Sequence, residues 1–437
     1  MASAVIVSVL ILTILSLLKI NVLVAIIVSA FSAGLIAQES LSNIVKFFVE
    51  SMGGSSETAI SYILLGGFAA AISMTGITKG IVQFLRKIVR GKRGIMLLAI
   101  AAIASLSQNA VPVHIAFIPI LIPPLIALFD KMQIDRRAIA ASLTFGLKAP
   151  YVMLPLGFGL LFHEIIQENL REEGIYLSVW ETASAMLIPG LGMVVGLLIA
   201  IFITYRKNRD YGQVQPEGQP SEFAQVDDTP FKFELKHVMT LIAIVAALIV
   251  QILTGQMILG ALTGLLLMFL LVAVPYKQME GIMSSGIAMM GMIAFIMLAA
   301  SGYAGVLKET GSVEALVNVS SDLMGDQKPL IALVLLAVGL IVTIGIGTSF
   351  GTIPILAALF IPIATQAGFS PLAIAALIGT AGALGDAGSP ASDSTLGPTA
   401  GLNVDGKHNH IWDTVVPTFI HFNIPLLIFG WAASLIL

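Results

Sequence analysis

Apolar runs long enough to cross a lipid bilayer recur from one end of the chain to the other. The first two, Ala2–Leu18 and Ile20–Ala37, are separated by a tight turn, and the last is Ile411–Leu437. A transmembrane helix needs about 20 consecutive apolar residues. The one clear interruption is residues 208–235, which contain three prolines and many polar side chains. The pattern predicts an all-α polytopic membrane protein of two halves, 1–207 and 236–437, joined by a cytoplasmic linker.

Composition supports the same class of protein. Of the 437 residues, 57% are hydrophobic and only 11% are charged, whereas charged residues make up about 25% of a soluble domain. The net charge of −3 does not indicate a nucleic-acid partner, and the absence of cysteine excludes disulfides and thiol chemistry. The sequence contains no HExxH zincin motif, and we do not expect an intramembrane hydrolase.

Helix-breaking residues interrupt several of the apolar runs, and they predict broken helices and re-entrant hairpins. The strongest case is Gly345–Asn403, where Gly, Pro, Ser and Thr are spread through an apolar stretch. Breaks are also expected at Ser107–Pro112, Lys148–Pro150 and Pro155–Gly157, and Gly66–Gly67 is expected to loosen the third span. Irregular backbone at membrane depth is tolerated only where it is buried in protein or lines a wet cavity.

The two halves resemble each other when the second is compared with the first at an offset of 235 positions. The matches are Ile118–Leu121 with Ile353–Leu356, Ala138–Ala141 with Ala373–Ala376, Pro155 with Pro390, and His114 with Ser349. Short matches among apolar residues are common by chance, but several in the same order at one offset are not. The sequence therefore predicts an internal repeat.

Charge predicts that the repeat is inverted. Gly76–Gly94 is strongly basic, while its counterpart Lys308–Lys328 is net acidic. Because basic loops stay in the cytoplasm, the two segments are expected on opposite sides of the membrane. Inverted repeats with broken helices in matching positions are typical of secondary transporters, whose site lies at the repeat interface near the membrane midplane.

Small polar residues at two of the predicted breaks are candidate ligands for a hard cation. They are Thr348, Ser349 and Thr352 in the second half and Asn109 in the first. Hydroxyl and amide oxygens, together with carbonyls freed by an opened helix, suit Na⁺. The alternative is close helix packing, for which Ser, Thr and Gly are also common in membranes.

Two carboxylates in the same stretch are candidates for cation and proton exchange. Asp386 and Asp393 lie seven residues apart, and Gly388 and Pro390 predict a helix break between them. Burial favours the protonated form of a carboxyl group and a bound cation favours the ionised form, so one group can exchange H⁺ for Na⁺. In the alternative, Ser389 caps a helix that begins at Pro390, and Asp393 pairs with its first-turn N–H groups.

Lys148 and His114 are further candidates for proton coupling. A lysine in mid-membrane needs a partner, and we expect Asp386 or Asp393 to pair with Lys148, either as part of the transport cycle or as a structural ion pair. His114 could titrate near neutral pH or be a hydrogen-bonded core histidine. The other histidines are expected at less functional places: His163 at the membrane interface, and His408 and His410 in a surface loop.

Two motifs in the second half of the chain resemble those of a known family. Gly347–Leu356, GTSFGTIPIL, resembles a signature segment of the NhaC-type sodium/proton antiporter family of the ion transporter superfamily, and Gly385–Ser394, GDAGSPASDS, followed by GPTAG, resembles a second. The resemblance implies a homodimer in the bacterial cytoplasmic membrane that moves Na⁺ and H⁺ without a cofactor. It carries the cation site onto Thr348, Ser349, Thr352, Asp386, Ser389 and Asp393, with Asn109 added by the repeat.

Two functions outside simple exchange stay open at this stage. Some relatives in this group are described as amino-acid permeases, so a Na⁺- or H⁺-coupled permease for a small amino acid such as histidine is the main alternative to a sodium/proton antiporter. A channel or structural subunit is a third possibility, against which the inverted repeat argues.

Overall fold

The computed structural model describes residues 2–18, 20–77, 80, 92–109, 117–156, 158–211, 231–254, 256–321 and 327–437. Within these ranges all regular structure is helical, as the hydrophobic pattern predicts. Several predictions concern segments outside the described residues: His114, most of the basic segment 76–94, most of the linker 208–235, and residues 322–326 of the acidic segment.

Eighteen helices are named here in chain order. They are α1 Ala2–Leu17, α2 Val22–Ile36, α3 Leu41–Met52, α4 Ser56–Met74, α5 Arg93–Asn109, α6 Phe117–Lys131, α7 Arg136–Met153, α8 Phe158–Glu172, α9 Val179–Ile199, α10 Leu235–Thr254, α11 Met257–Leu270, α12 Met279–Glu309, α13 Ser312–Ser321, α14 Lys328–Ile346, α15 Ser349–Gln366, α16 Pro371–Ala383, α17 Asp393–Leu402 and α18 His410–Ile436.

Among the described residues, four helices are long and apolar enough to cross a membrane. They are Val179–Thr204, Met290–Glu309, Lys328–Ile346 and His410–Ile436. A fifth span is formed if the two parts of α15, which meet at a bend of 48°, are counted as one. Several shorter apolar helices, among them α2 and α16, make up the remaining predicted runs.

Local sequence explains where several helices begin. Ser40 caps α3 and Ser370 caps α16, each through a side-chain oxygen that accepts an otherwise unpaired N–H of the first turn. Ser178 and Glu181 form a reciprocal capping box at the start of α9. Pro371 occupies the first position of α16, where its missing N–H costs nothing.

Helices α4 and α12 pack backbone to backbone through glycines. A Cβ atom added to Gly286 of α12 would lie 2.2 Å from the backbone nitrogen of Gly67, and one added to Gly66 would lie 2.6 Å from the carbonyl oxygen of Gly286. Helix α4 is continuous through this crossing. The prediction that Gly66–Gly67 loosens the span is therefore wrong, because the two glycines remove bulk at a helix contact and leave the helical hydrogen bonds intact.

Several helix boundaries in the second half lie at one constant offset from boundaries in the first. Tyr151 and Asp386 are 235 positions apart, and the same offset relates six pairs of helix ends. The pairs are the starts Val22 and Met257, Arg93 and Lys328, Arg136 and Pro371, and Phe158 and Asp393, and the ends Met74 and Glu309, and Lys131 and Gln366. Agreement of boundaries over this length is what an internal repeat predicts.

The glycine crossing yields a prediction about stability. We expect Gly286→Ala to lower the free energy of unfolding by about 1–3 kcal/mol, because the new methyl group must push α4 away from α12. Gly281→Ala on the same helix is the matched control, since a Cβ there meets nothing within 4 Å. That variant should be neutral or slightly more stable. Thermal unfolding of the purified protein in detergent measures both, and equal midpoints would contradict the close contact.

Candidate functional site

The first element of the site is a break between α14 and α15. Helix α14 ends at Ile346, and Gly347 adopts a left-handed conformation with φ of +79°, while its N–H donates to the carbonyl of Thr343 at 2.7 Å. Thr348 is extended, and α15 begins at Ser349. The predicted opening of the helix at these residues is confirmed. A glycine is needed here because other L-residues are strained at positive φ.

The second element is the longer break between α16 and α17. Residues 384–392 are non-helical, and Gly385 and Gly388 both have positive φ, at +84° and +139°. This confirms the predicted break between Asp386 and Asp393. The predicted cap at Ser389 is wrong: α17 begins at Asp393 and is capped by Ser392.

Ser389 cannot cap α17 because its hydroxyl is used elsewhere. It donates to the carbonyl of Ile344 on α14 at 3.1 Å and accepts the N–H of Ala391 at 3.1 Å. The side chain of Ser389 thus joins the second break to the last turn of α14. Its place is structural support beside the site.

The carboxylate of Asp386 lies at the centre of the site and is only 1% exposed. Its Oδ2 accepts hydrogen bonds from Lys148 Nζ at 2.7 Å, from Ser349 Oγ at 2.6 Å and from the backbone N–H of Ser349 at 3.2 Å. Tyr151 donates to the same oxygen at 3.3 Å, and Ser392 donates to Oδ1. The N-terminus of α15 therefore points at Asp386, and its positive end stabilises the ionised carboxyl.

Lys148 of α7 lies between the two carboxylates. Its Nζ is 2.7 Å from Asp386 and 3.2 Å from Asp393, and it lies 5.3 Å from the centre of the Tyr151 ring. The prediction that Lys148 pairs with one of these acids is confirmed. Both acids belong to the second half of the chain and Lys148 to the first, so the site forms where the halves meet.

Helix α7 carries Lys148 without a break. The predicted interruption at Lys148–Pro150 is wrong, because α7 continues through Pro150 to Met153. A proline removes one intrahelical hydrogen bond, which is tolerated in a helix enclosed by others. The chain leaves the helix at Leu154, immediately before Pro155, where a second break had been predicted. Gly157 lies outside the described residues.

The charges of this cluster do not cancel. One ammonium and two carboxylates leave a net charge of −1 when all three groups are ionised. Asp386 is enclosed by donors, whereas the side chain of Asp393 is 19% exposed and has the longer contact with Lys148. Asp393 is therefore the carboxylate that a small cation or a proton can reach without dismantling the Asp386 contacts.

The other predicted ligands are not all gathered here. Ser349 binds Asp386 directly, but the hydroxyl of Thr352 donates to the carbonyl of Thr348 within its own helix at 2.7 Å. Thr348 is half-buried at the start of α15 and its side chain makes no capping hydrogen bond. Asn109 ends α5, and its side chain, like all of His114, lies outside the described residues.

Sequence reasoning missed Tyr151, Ser392 and Asn423. Tyr151 could have been found, because it lies at the repeat offset from Asp386. Ser392 directly precedes Asp393 and bonds both carboxylates. Asn423 hydrogen-bonds the backbone on both sides of Asp386, and nothing in its local sequence indicates that contact.

The structure gives the surroundings of three histidines. His163 is fully buried on the face of α8 that also carries Phe162 and Ile166, and its location at the membrane interface stays a prediction. His408 is buried and bonds Thr414 at 2.7 Å, and His410 bonds the carbonyl of Pro390 at 2.9 Å. The surface-loop prediction for His408 and His410 is therefore wrong.

A separate charged cluster lies at the opposite end of α7. The guanidinium of Arg136 is fully buried, binds Asp405 through two hydrogen bonds of 2.6 Å and binds Asp130 at 2.9 Å. Asp405 follows α17, so these bonds connect the far ends of the helices that carry Lys148 and Asp393. The planar guanidinium holds each carboxylate through paired hydrogen bonds, and we interpret the cluster as structural.

This cluster predicts a pH dependence of stability. Burial raises the pKa of Asp405, but the hydrogen bond and charge of Arg136 outweigh it, so the pKa lies below its ordinary 3.8. A carboxyl group whose pKa is lower in the folded than in the unfolded state stabilises the fold at pH values above its unfolded-state pKa. This stabilisation is lost as the pH falls through the folded-state pKa. Asp405→Asn should therefore cost about 1.5–3 kcal/mol at neutral pH, and the cost should shrink below about pH 4.

Unfolding midpoints of wild type and Asp405→Asn between pH 8 and pH 3 measure this difference. Glu168→Gln is the control, because Glu168 is exposed and its partner Arg171 is 3.8 Å away. If the difference in unfolding midpoint between wild type and Asp405→Asn stayed constant down to the lowest pH, the charge of Asp405 would not be the cause of the stabilisation.

Comparison with known proteins supplies the family context. A sequence model described as the Na⁺/H⁺ antiporter family matches residues 142–431, and one described as the Na⁺-H⁺ antiporter family matches residues 3–89. The first match includes Lys148, Asp386 and Asp393.

Two full-length relatives are similar to this chain. An uncharacterized membrane protein of Vibrio parahaemolyticus is 49% identical, with 99% of each chain covered. A Bacillus subtilis protein named "Putative amino acid transporter YuiF" is 43% identical, with 100% of each chain covered. Among solved structures, Neisseria gonorrhoeae MtrF is 14% identical with a TM-score of 0.45, covering 91% of this chain and 85% of its own.

Proposed function

This chain belongs to the Na⁺/H⁺ antiporter family, and from that premise we propose that Asp386, Asp393 and Lys148 form its exchange site. The protein is a secondary transporter in a membrane and not an enzyme. The single observation that carries the proposal is one ammonium held between two carboxylates, the buried Asp386 at 2.7 Å and the partly exposed Asp393 at 3.2 Å. Taken by themselves, these three groups carry a net charge of −1 when all are ionised.

Either a proton or a Na⁺ ion restores neutrality. With a proton on Asp393, Lys148 and Asp386 remain as a balanced pair. With Na⁺ bound, both carboxylates stay ionised and the ion takes hard oxygen ligands from them. Of the hydroxyls predicted from the sequence, Ser349, which bonds Asp386, and Thr348 beside it would help to complete such a shell. One ion therefore displaces the other, which is the requirement for antiport.

The second part of the proposal concerns architecture. We propose that residues 1–207 and 236–437 are inverted repeats, with 208–235 as a cytoplasmic connection. Three observations support this: the common offset of helix boundaries, the opposite charges of segments 76–94 and 308–328, and a site built from both halves. The homodimer and the bacterial cytoplasmic membrane, both implied by the family resemblance, remain predictions.

A second candidate function has a specific observation in its favour. The two carboxylates already bind a primary ammonium, that of Lys148, and three aromatic side chains pack together beside it. Tyr151 and Phe350 are stacked with ring centres 5.8 Å apart, and Phe162 packs edge-on against Tyr151 at 5.2 Å. The α-ammonium of an amino acid could take the place of Nζ, as the name of the Bacillus relative suggests.

Substitution of the carboxylates tests the exchange site. In liposomes that contain a pH-sensitive dye, Asp393→Asn should reduce Na⁺-driven proton movement to the level of protein-free liposomes, because the cluster is then neutral without a cation. The fold should survive, since the Lys148–Asp386 pair remains. Glu168→Gln on the exposed side of α8 is the control and should transport normally. Near-normal flux in Asp393→Asn would remove that residue from the mechanism.

Asp386→Asn is expected to differ from Asp393→Asn in one respect. It should abolish transport and also destabilise the protein, by about 3–5 kcal/mol, because it removes the main partner of a buried lysine. Thermal unfolding measured beside the flux separates the two effects. Equal stability of the two variants would show that Asp386 and Asp393 share Lys148 equally.

The identity of the transported solute is tested in the same liposomes. An imposed pH gradient is challenged with Na⁺ alone, and in parallel with histidine and other amino acids, each with and without Na⁺. Collapse of the gradient by Na⁺ alone supports the antiporter. A response that begins only when an amino acid is added assigns the carboxylates to a substrate ammonium.

A further inference from the structure

Asn423 makes two hydrogen bonds that enclose the Asp386 residue. Its Oδ1 accepts the N–H of Gly385 at 2.7 Å, and its Nδ2 donates to the carbonyl of Ala387 at 2.8 Å. Asn423 is buried, and both of these bonds go to the backbone of the segment that carries Asp386. The orientation of the carboxamide is determined by its partners, because a backbone N–H can only donate and a carbonyl can only accept.

These two backbone groups need a partner from outside their own segment. The chain between α16 and α17 is non-helical, so its N–H and C=O groups lack the bonds that a continuous helix provides. Each such group left unpaired in a membrane interior costs several kcal/mol. A carboxamide carries one donor face and one acceptor face, and it therefore replaces the missing peptide partner at both positions.

Local structure on both sides brings Asn423 within reach. Phe419–Asn423 is a π-helical stretch of α18, a wide turn that is uncommon and often found at functional sites. On the other side, Gly388 approaches α18 directly: a Cβ there would lie 2.7 Å from the Cα of Phe419 and 2.8 Å from Asn423 Nδ2. Any other residue at 388 would separate the two segments.

We propose that Asn423 is a positioning residue for the exchange site. By holding the peptide groups before and after Asp386, it fixes the direction in which that carboxylate leaves the backbone, toward Ser349 and Lys148. A small rotation of this segment would move the carboxylate away from three donors at once. The two hydrogen bonds from Asn423 to the backbone are called the clamp below. The transport readout of this inference rests on the proposed function, but the clamp does not.

Two variants separate the clamp from general packing. Asn423→Ala removes both hydrogen bonds. Asn423→Asp keeps the size of the side chain and the acceptor for Gly385 but loses the donor to Ala387 while its carboxyl is ionised. A neutral carboxylic acid has both a donor and an acceptor, so this variant should recover as the pH is lowered. Ile420→Ala is the control, since Ile420 lies in the same π-helical stretch with its side chain exposed.

The first readout is hydrogen exchange of the peptides that cover residues 384–392. Asn423→Ala should exchange faster there than wild type at every pH, and Ile420→Ala should not. The second readout is the Na⁺ concentration that gives half-maximal flux, taken as the ratio of variant to wild type at each pH so that titration of the carboxylates cancels. For Asn423→Ala this ratio should rise about 10–100-fold. For Asn423→Asp it should rise at high pH and return toward one at low pH.

Faster exchange with an unchanged half-maximal concentration would overturn the positioning role and leave Asn423 as a packing residue. Unchanged exchange would overturn the clamp itself. If wild type does not respond to Na⁺, the proposed ion is wrong. The exchange readout then still decides the clamp, and the half-maximal concentration is measured for whichever amino acid moves. If Asn423→Ala does not fold, Asn423→Asp at low and high pH provides both readouts.

Discussion

A lysine buried among helices must have an anion beside it, and much of this structure follows from that requirement. Moving an ammonium group out of water costs several kcal/mol unless good geometry and further hydrogen bonds compensate. Lys148 enters from the first half of the chain, and its two anions come from the second. The ion pair therefore constrains how the halves meet. The helix that carries Lys148 continues past Pro150 to Met153.

The second constraint is the hydrogen bonding of an irregular backbone. The segment between α16 and α17 is held from several directions by side chains on other elements. Asn423 bonds Gly385 and Ala387, and His410 bonds the carbonyl of Pro390, while the segment's own Ser389 reaches across to α14. Since these bonds tie the segment to α18 on one side and to α14 on the other, its conformation is fixed from two directions. A broken helix of this kind is a rigid support for its carboxylate.

Sequence could predict the parts of this site that are costly in a membrane and local in the chain. Charged residues within apolar runs identified Lys148, Asp386 and Asp393 as candidates for the site. Glycines in those runs predicted the breaks at Gly347 and at 384–392, where the structure has positive φ. What it could not show depends on distant contacts. Asn423 and its partner Gly385 are 38 positions apart, and the buried positions of His163 and His408 are set by neighbouring helices. Gly66 and Pro150 were misjudged because the helix around each one is supported by packing that its own sequence does not show.

The last helix has one more property that its hydrogen bonds reveal. It contains two π-helical stretches, 410–415 and 419–423, and each π turn closes its bond one residue later than an α turn does. Each π-helical stretch therefore accommodates one more residue per hydrogen-bonded turn than an α-helix does. If the wide turn moves along the chain by one position, the side chain that it passes turns by about 100° around the helix axis. The position of the wide turn therefore determines the direction in which Asn423, the last residue of the second stretch, leaves the helix axis.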